Sequence, residues 1–193
     1  MIAGCVLAAG GSARFGAETK QLAELDGRPL LEHVLATMAR TDLDRVVVVL
    51  GAEAERIQAD VQLHGAEPVV CERWEDGQSA SLASGLAAVE DAEAVVVVLG
   101  DQPGLAPEAV ARVLDARRPG EGAVRATYEG QPGHPVVLER AQIAAVRDAT
   151  GDVGARNVIM RGLREIACDD LGGGQDVDTP DQLAGLRRAE ARR

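Results

Sequence analysis

Long apolar runs separated by amphipathic stretches organise the first half of the chain. The segments IAGCVLAA (2–9), RVVVVLG (45–51) and AVVVVLGD (94–101) show no polar alternation. Strands of this kind are buried on both faces, which is typical of a parallel sheet. Helical patterns lie between them in LLEHVLATMAR, with Pro29 as its first residue, in AEAERIQADVQL and in SASLASGLAAVED, and EPVVC reads as a short strand. This alternation predicts βαβ units in a three-layer α/β/α sandwich with a mostly parallel sheet.

The second half has a different rhythm. A helix is expected after Pro107, and the strands GAVRATY and HPVVLE are joined through EGQPG, which predicts a hairpin-like connection. Further helices are expected near 140–148 and 153–161, followed by a strand, LREIAC. The last helix opens at DTPDQL, where Thr179, Pro180 and Gln182 fit the N-cap, N1 and N3 positions of a capping box. Because we find no repeat or linker, residues 1–193 are expected to form one domain.

Composition narrows the range of partners. The formal net charge of −11 argues against a general nucleic-acid surface, which needs a basic field, but it allows one local site for a small anion. Aromatic residues make up 2% of the chain, so base recognition by stacking is poorly supplied, with Phe15, Trp74 and Tyr128 as the candidates. The core is therefore expected to be aliphatic.

Cysteine usage indicates a reducing compartment, and hydropathy gives no sign of a membrane span. Cys5, Cys71 and Cys168 are far apart and form no CxxC pair, so we interpret them as small buried apolar residues without a disulfide framework. The 3 His residues are too scattered for a His-based zinc site. No apolar run approaches the ~20 residues of a membrane span, and the N-terminus lacks the charged region of a signal peptide. A soluble cytoplasmic protein without membrane contact is the expectation.

A glycine-rich loop follows the first strand, in LAAGGSARFG (7–16), and the only lysine of the chain, Lys20, comes soon after. Small residues there let backbone N–H groups approach an anion, and Arg14 and Lys20 add positive charge. Neither common nucleotide fingerprint fits, because Ala17 and Glu18 follow where a Walker A loop needs Lys and Ser/Thr, and GxGxxG is absent. The alternative is a tight strand-to-helix turn with a solvated charge.

A carboxylate stands at the tip of the third apolar strand, in GDQP (100–103). Ligands of open parallel sheets bind beyond the carboxyl ends of the strands, so Asp101 is well placed for Mg²⁺, which takes one or two carboxylates together with substrate phosphates. The alternative is an aspartate that caps the next turn.

These motifs together resemble the molybdenum-cofactor nucleotidyltransferases, the molybdopterin cytidylyl- and guanylyltransferases of the nucleotide-diphospho-sugar transferase superfamily. The first motif is the glycine-rich loop with Lys20, although three residues separate Gly16 from Lys20 where the commonest family form has two. The later motifs follow in the family's order: GQSASLASG (77–85), GDQP (100–103), GHPV (133–136), GDVGAR (151–156) and DVDTP (176–180). The resemblance covers roughly residues 3 to 183 and implies the family's fold, with a Rossmann-like N-terminal half.

The resemblance also implies a role for each matching residue. It makes Arg14, Lys20 and Asp101 the catalytic residues, with Arg14 and Lys20 on the triphosphate and with Mg²⁺ on Asp101 and Asp178. Acceptor binding falls to His134 and Arg156. Nucleotide binding falls to the loop and a helix start: Leu7, Ala8, Ala9, Gly10, Gly11, Gln78, Ser79 and Ser81. Residues 1–102 would then form a nucleotide-binding half and residues 103–193 an acceptor-binding half.

Several of these residues have a plain structural interpretation as well. Ser79 or Ser81 fits a helix N-cap, Asp178 fits a charge in the first turn of the last helix, and His134 fits a turn before a proline. Arg156 fits a cation on a helix surface.

The implied reaction is attack of an acceptor phosphate on the α-phosphorus of an NTP, with release of pyrophosphate. Within the family, LAAG at the loop resembles the cytidylyl enzymes and LAGG the guanylyl enzymes, so Ala9 favours CTP, with molybdopterin as acceptor and a molybdoenzyme or its chaperone as a protein partner. The alternatives are a GTP-using guanylyltransferase, a sugar-1-phosphate nucleotidyltransferase and, in a different class, a non-catalytic nucleotide sensor. A scaffold protein is disfavoured because the chain has no repeats or heptads.

Overall fold

A seven-stranded sheet forms the centre of the molecule in the computed structural model, which describes residues 1–11, 15, 19–149, 151–171 and 173–190. The strands in chain order are β1 (Ile2–Ala8), β2 (Glu24–Leu25), β3 (Arg28–Pro29), β4 (Arg45–Leu50), β5 (Glu67–Val70), β6 (Ala94–Leu99), β7 (Val124–Tyr128), β8 (Gln131–Glu139) and β9 (Arg164–Ala167). The helices are α1 (Leu30–Met38), α2 (Ala54–Asp60), α3 (Gln78–Ala88), α4 (Pro107–Asp115), α5 (Arg140–Arg147), α6 (Gly151–Met160) and α7 (Pro180–Glu190).

The sheet is mostly parallel, as the apolar runs predict. Its order is β5-β4-β1-β6-β8-β7-β9, and β8 alone runs antiparallel to its neighbours β6 and β7. The carboxyl ends of β1, β4 and β6 therefore meet at one edge. Because β8 runs antiparallel to β6, its first residues lie at the same edge, beyond the pair formed by Val97 of β6 and Val136 of β8. This arrangement brings motifs from both halves of the sequence together.

Helices cover both faces of the sheet, which confirms the three-layer α/β/α prediction. On one face, α1, α2 and α4 pack on the sheet through residues such as Leu35, Ile57 and Val110. On the other face, α3, α5 and α6 contribute Leu86, Ile143 and Ala155. The valines of the central strands divide between the two cores by alternation, so that a strand without polar residues is explained by burial on both sides.

A small separate ribbon, β2 with β3, precedes α1 and was not predicted. Its turn, Asp26-Gly27, has φ angles of 50° and 73°, the left-handed values that an Asp-Gly hairpin turn adopts. Pro29 belongs to this ribbon and occupies the N-cap position, so α1 begins one residue later than the sequence suggested, at Leu30.

The predicted hairpin in the second half is present, with a tighter turn than expected. Glu129 and Gly130 form it with φ angles of 51° and 73°, and β8 begins at Gln131 rather than at His134. The register between β7 and β8 shifts between Arg125 and Thr127, which leaves Gly133, His134 and Pro135 as a bulge in β8. Pro135 has no N–H for the ladder, and a bulge re-aims side chains at such a point.

The capping box predicted from DTPDQL is present at the start of the last helix, α7. The amide of Gln182 donates to Thr179 Oγ1 at 3.3 Å, and the Thr179 amide donates back to Gln182 Oε1 at 2.9 Å. Cys5, Cys71 and Cys168 are buried and free, as expected. Among the residues that the structure describes, no helix combines the length and the apolar character needed to cross a membrane.

Candidate active site

A buried glutamine, Gln21, forms hydrogen bonds to the backbone of the glycine loop at the end of β1. Gln21 is 4% exposed and donates through Nε2 to the carbonyls of Ala8, at 2.9 Å, and Gly10, at 3.1 Å. Gly10 and Gly11 themselves are exposed. Because Gln21 engages the loop carbonyls from inside, it fixes the path of the backbone whose N–H groups would meet an anion.

A tryptophan lies against the loop. A Cβ atom added to Gly11 would lie 2.8 Å from the Trp74 ring, and one added to Gly51 would lie 2.6 Å from the side chain of the same tryptophan. Glycine at both positions therefore lets the indole approach the backbone closely. Trp74, one of the three aromatic candidates for stacking, therefore lies at the loop.

These elements enclose a cleft of about 360 Å³ at the carboxyl edge of the sheet. Its residues come from the ends of β1 and β6, the segment around Lys20, and the start of α3. Most of the predicted nucleotide-binding residues line it, together with Gln21, Trp74, Glu75 and Gly77: Leu7, Ala8, Ala9, Gly10, Gly11, Gln78, Ser81, and also Lys20 and Asp101. The structure thus brings into one cleft residues that are up to 94 positions apart, from Leu7 to Asp101.

Lys20 bridges two carboxylates in this cleft. Its Nζ lies 2.5 Å from Asp101 Oδ2 and 3.1 Å from Asp178 Oδ1. The three side chains are 16%, 19% and 28% exposed, so the cluster is largely removed from water. The segment that carries Asp178 is fixed by the hydrogen bond from the amide of Val177 to the Asp101 carbonyl, at 2.9 Å.

The charges in this cluster support one another. Burial by itself lowers the pKa of Lys20, but the hydrogen bonds and charges of Asp101 and Asp178 outweigh it, so the pKa is raised and the ammonium is retained. Nearby, burial raises the pKa of Asp176, although its hydrogen bond from Gln102 Nε2, at 2.6 Å, works against this rise. Among the described residues, Lys20 is thus the cation beside three aspartates, Asp101, Asp176 and Asp178.

The two carboxylates fit a divalent cation. Asp101 Oδ1 is buried and has no hydrogen-bond partner among the residues that the structure describes, which is the state of an oxygen available as a ligand. Within the same residues, no group of three or more His, Cys, Asp or Glu side chains is arranged for a metal. A site with two protein carboxylates, whose other coordination positions are filled by substrate phosphates and water, is typical of Mg²⁺. It differs from a site in which the protein supplies all the ligands.

The start of α3 is capped from another helix. Gly77 occupies the N-cap position with φ 109° and makes no side-chain cap. Instead, the amide of Ser79 donates to Oδ1 of Asp152, on α6, at 2.7 Å. The interpretation of Ser79 or Ser81 as an N-cap is therefore wrong. Ser81 is 5% exposed and faces the cleft, because α3 presents its first turn there.

A second cavity of about 400 Å³ adjoins the cleft, and Leu7 and Gln78 line both. The predicted acceptor residues His134 and Arg156 line this second cavity, and Ser79 lines it rather than the cleft. His134 lies in the β8 bulge, so its interpretation as a turn residue is wrong. Arg156 is exposed, as a surface cation would be, while also lining the cavity.

Other predicted residues fall outside these two spaces. Asp178 does not lie in the first turn of α7, because the helix begins at Pro180, and its side chain contacts Lys20 instead. Arg14 lies outside the described residues. The alternative of a solvated charge is wrong for Lys20, since its side chain is 16% exposed.

Sequence reasoning gave no site role to several polar residues that line the two spaces: Gln21, Glu75, Arg125 and Asp152. It named Trp74 only as one of three aromatic candidates for stacking. The lone Trp, placed just before the GQSASLASG motif, was a usable signal for the cleft. Asp152 lies inside the GDVGAR motif, where the arginine alone was assigned. Arg125 and Gln21 carry no such signal, because their position depends on how distant strands and loops meet.

The fold and the site define a class, and comparison with known proteins agrees with it. Residues 4–166 match the family described as "MobA-like NTP transferase domain". The chain belongs to this family, within the nucleotide-diphospho-sugar transferase superfamily, and is an enzyme of the nucleotidyltransferase class.

Individual relatives are similar over nearly their full length. The "Nicotine blue oxidoreductase" of Paenarthrobacter nicotinovorans is 34% identical over 192 residues, which cover 94% of each chain. The crystal structure of Rv0371c from Mycobacterium tuberculosis H37Rv is 34% identical, covers 97% of each chain and has a TM-score of 0.85. A second structure of Rv0371c, described as a complex with manganese, is 32% identical, covers 97% of this chain and 98% of that one, and has a TM-score of 0.81.

Proposed function

We propose that the protein transfers a cytidylyl group from CTP to a phosphorylated acceptor, molybdopterin, with Mg²⁺ as cofactor and pyrophosphate as the leaving group. One observation carries the proposal. The glycine-loop cleft, with Lys20 between two carboxylates, lies next to the second cavity, since Leu7 and Gln78 line both. Two substrates placed in these spaces would meet beside the one cationic side chain described in the cleft.

In the proposed reaction, a phosphate oxygen of the acceptor attacks the α-phosphorus of the nucleotide. A new bond from phosphorus to oxygen forms, the bond to the β-phosphate oxygen breaks, and that oxygen leaves as part of pyrophosphate. No covalent enzyme intermediate is required, so the protein contributes position and charge. The N–H groups of Gly10 and Gly11, with Arg14 and Lys20, would hold the triphosphate. His134 and Arg156 would hold the acceptor.

Asp101 and Asp178 would hold the metal. A bound Mg²⁺ would offset phosphate charge and orient the α-phosphate for attack. The buried and unpaired Asp101 Oδ1 supports this assignment. Use of a divalent metal is also supported by the manganese complex of Rv0371c. Lys20, which contacts both carboxylates, would hold the triphosphate beside them.

The preference for CTP rests on the space around Ala9. Ala9 lines the cleft and is 3% exposed, and in this proposal its Cβ takes room that a glycine would leave to a purine. Trp74 lines the cleft at the loop, and Gln78 and Ser81 offer hydrogen-bonding groups at the start of α3. A site built on specific hydrogen bonds rejects ligands that leave its buried groups unpaired.

The proposal also covers the roles of the two halves of the chain, the cellular location and the protein partner. We assign nucleotide binding mainly to residues 1–102 and acceptor binding mainly to residues 103–193, with Asp178 as a contribution of the second half to the metal. A cytoplasmic location is supported by the three free and buried cysteines. A molybdoenzyme or its chaperone would then receive the product.

The test is a screen of the four NTPs against molybdopterin and against sugar-1-phosphates, with pyrophosphate release as the readout. We expect kcat/KM with molybdopterin to be higher for CTP than for GTP, and Ala9→Gly to narrow that ratio. Ala66→Gly, at a buried alanine away from the cleft, is the control. A wild-type enzyme that uses GTP equally well or better contradicts the CTP assignment. Turnover of sugar-1-phosphates without turnover of molybdopterin would contradict molybdopterin as the acceptor.

A second candidate is an oxidoreductase, and one observation favours it. The relative with that name in Paenarthrobacter nicotinovorans is similar over almost its whole length. The same preparations should therefore be tested for reduction of nicotine blue with NADH or NADPH. We expect no turnover above that of the Asp101→Asn variant. Oxidation of the reduced nicotinamide together with absence of pyrophosphate release would replace the nucleotidyl-transfer proposal.

A further inference from the structure

The second cavity has apolar walls and a short polar edge. Leu82, Val97 and Val136 form part of the walls, from α3, β6 and β8, and Ile159 of α6 adds to them. The polar edge includes Arg125, which no sequence motif singled out. A concave site with apolar walls and few polar groups favours a ligand with an apolar or flat body and one polar anchor.

Arg125 is a largely buried cation whose donors are only partly used. It lies on β7, its side chain is 16% exposed, and its Nη2 donates to Glu165 on the neighbouring strand β9. Its Nε is buried and has no partner among the residues that the structure describes. A guanidinium offers five donors in a fixed fork, and a buried charged group with an unmet donor is costly to keep. Because the side chain lines the cavity, the donors that Glu165 does not use can meet an additional acceptor atom there.

Arginine side chains carry the positive charge along this polar edge, and the other titratable groups there are neutral or anionic. Burial, followed by the charge of Arg125, lowers the pKa of His134 to about 4, so its imidazole is neutral near pH 7. The Asp152 carboxylate is engaged by the amide of Ser79. Glu165 offsets part of the charge of Arg125, but its side chain is 51% exposed and it does not line the cavity. Arg156 supplies a second guanidinium at the opposite helix.

We infer that Arg125 binds an anionic group of the second substrate and sets the specificity for it, so that the cavity takes an anion carried on a flat or apolar body. The inference rests on the proposed function in so far as this substrate is the nucleotidyl acceptor. It extends the proposal, because the anion contact falls on a residue of β7 that pairs with Val136, next to the β8 bulge, in addition to Arg156. His134 then contributes hydrogen bonding instead of charge.

Kinetics test the assignment. Arg125→Gln removes the charge, and we expect the KM for molybdopterin to rise by about 10- to 100-fold, the range of a hydrogen bond to a charged group, with the KM for CTP within about twofold of wild type. Arg125→Lys should recover part of the affinity. Arg45→Gln is the matched control, since Arg45 forms a similar pair with Glu67 between β4 and β5, away from the cavity. An unchanged molybdopterin KM in Arg125→Gln overturns the inference and leaves the proposed function standing.

A pair of dyes tests the cavity without any turnover. Anilinonaphthalene sulfonate carries an anionic group on an aromatic body, and phenylnaphthylamine has the same body without the charge. We expect the fluorescence titration to show at least tenfold weaker binding of the sulfonate in Arg125→Gln, with binding of the neutral dye unchanged. Circular dichroism checks that the variant is folded. If it is not, Arg125→Lys replaces it, because this variant keeps the positive charge but loses the planar fork of donors, and a smaller loss of sulfonate binding is expected.

The outcomes separate the two proposals. Weaker sulfonate binding in a folded Arg125→Gln variant, together with no turnover of molybdopterin by wild type, supports the inference and rejects the proposed acceptor. Equal sulfonate binding in wild type and in the variant overturns the inference. Absence of sulfonate binding by the wild type also overturns it, because the cavity would then not take the class of ligand that it is assigned.

Discussion

At the scale of single residues, Lys20 is defined by its two partners. Replacing it with Met would leave Asp101 and Asp178 facing each other without the ammonium between them. We expect turnover to fall about 10²- to 10³-fold, the scale for removing one preorganised donor. In contrast to a substitution in an exposed loop, it should also lower the thermal midpoint in the absence of metal, because the two part-buried carboxylates lose their shared partner.

Manganese or magnesium added to Lys20→Met should restore part of that midpoint by taking the place between the carboxylates. Asp60→Asn, at an exposed aspartate in α2, is the control for loss of a surface ion pair. Turnover within about twofold of wild type would remove Lys20 from the catalytic residues. A thermal midpoint that does not respond to metal in this variant would argue against the carboxylate pair as the metal site.

The residues of the site differ in how far the sequence could reveal them. Lys20 and Asp101 were predictable because each follows a strand that ends at the carboxyl edge of a parallel sheet, whereas the role of Asp178 was implied only by the family resemblance. Their mutual contact was not predictable, because it depends on the docking of the segment around Val177 onto the end of β6. Arg125 lacked any signal, since its surroundings arise from the reversed strand β8.

At the scale of elements, the coupling of α3 to α6 sets the shape of the cleft. Asp152 of α6 accepts the Ser79 amide at the positive end of α3, where a carboxylate is favourable. We expect Asp152→Ala to reduce the free energy of unfolding by about 1 kcal/mol, as for loss of a helix cap. Since Gln78 and Ser81 lie in the same turn, the KM for the nucleotide should rise as well.

Denaturant titration and steady-state kinetics measure these two effects. Asp148→Ala, at an exposed residue at the C-cap of α5, is the matched control and should change neither quantity appreciably. Asp152→Asn should retain part of the cap, because an amide oxygen still accepts the hydrogen bond. If Asp152→Ala is as stable as the control variant, the contact between the two helices does not hold the start of α3.

The elements themselves were largely predictable, for identifiable reasons. Apolar runs without alternation specify doubly covered strands, and the DTPDQL capping box specifies the start of α7. The ribbon of β2 and β3 was missed although its Asp26-Gly27 turn is a known hairpin signal, because strands of two residues carry no periodicity. The early start of β8 was missed because Pro132 and Pro135 disguise a strand that continues through a bulge.

At the scale of the whole molecule, the sheet joins the two halves of the chain. β8 hydrogen bonds to β6, and the Val177 amide donates to the Asp101 carbonyl. Residues of the second half therefore complete a sheet and a charge cluster that begin in the first half. Unfolding should accordingly be a single cooperative transition, with Trp74 fluorescence and far-UV circular dichroism changing together.

That coupling makes the stability of the whole chain sensitive to His134. Burial lowers its pKa from 6.5 to about 4, so between these values the unfolded chain binds a proton at this residue that the folded chain does not. Unfolding then takes up a proton, and the free energy of unfolding rises with pH through this window. Asp176 has the opposite sign, because its pKa is raised and its ionisation disfavours the folded state.

We therefore expect the difference between wild type and His134→Gln to isolate the histidine. Wild type should gain about 1–3 kcal/mol in the free energy of unfolding between pH 4 and pH 6.5 that the variant does not gain, and the two curves should run parallel above pH 7. Urea titrations at closely spaced pH values measure this difference. Equal slopes in the two proteins would mean that His134 titrates normally in the fold. The second cavity would then carry an additional positive charge at acidic pH, and acceptor binding would strengthen there with a histidine as its cause.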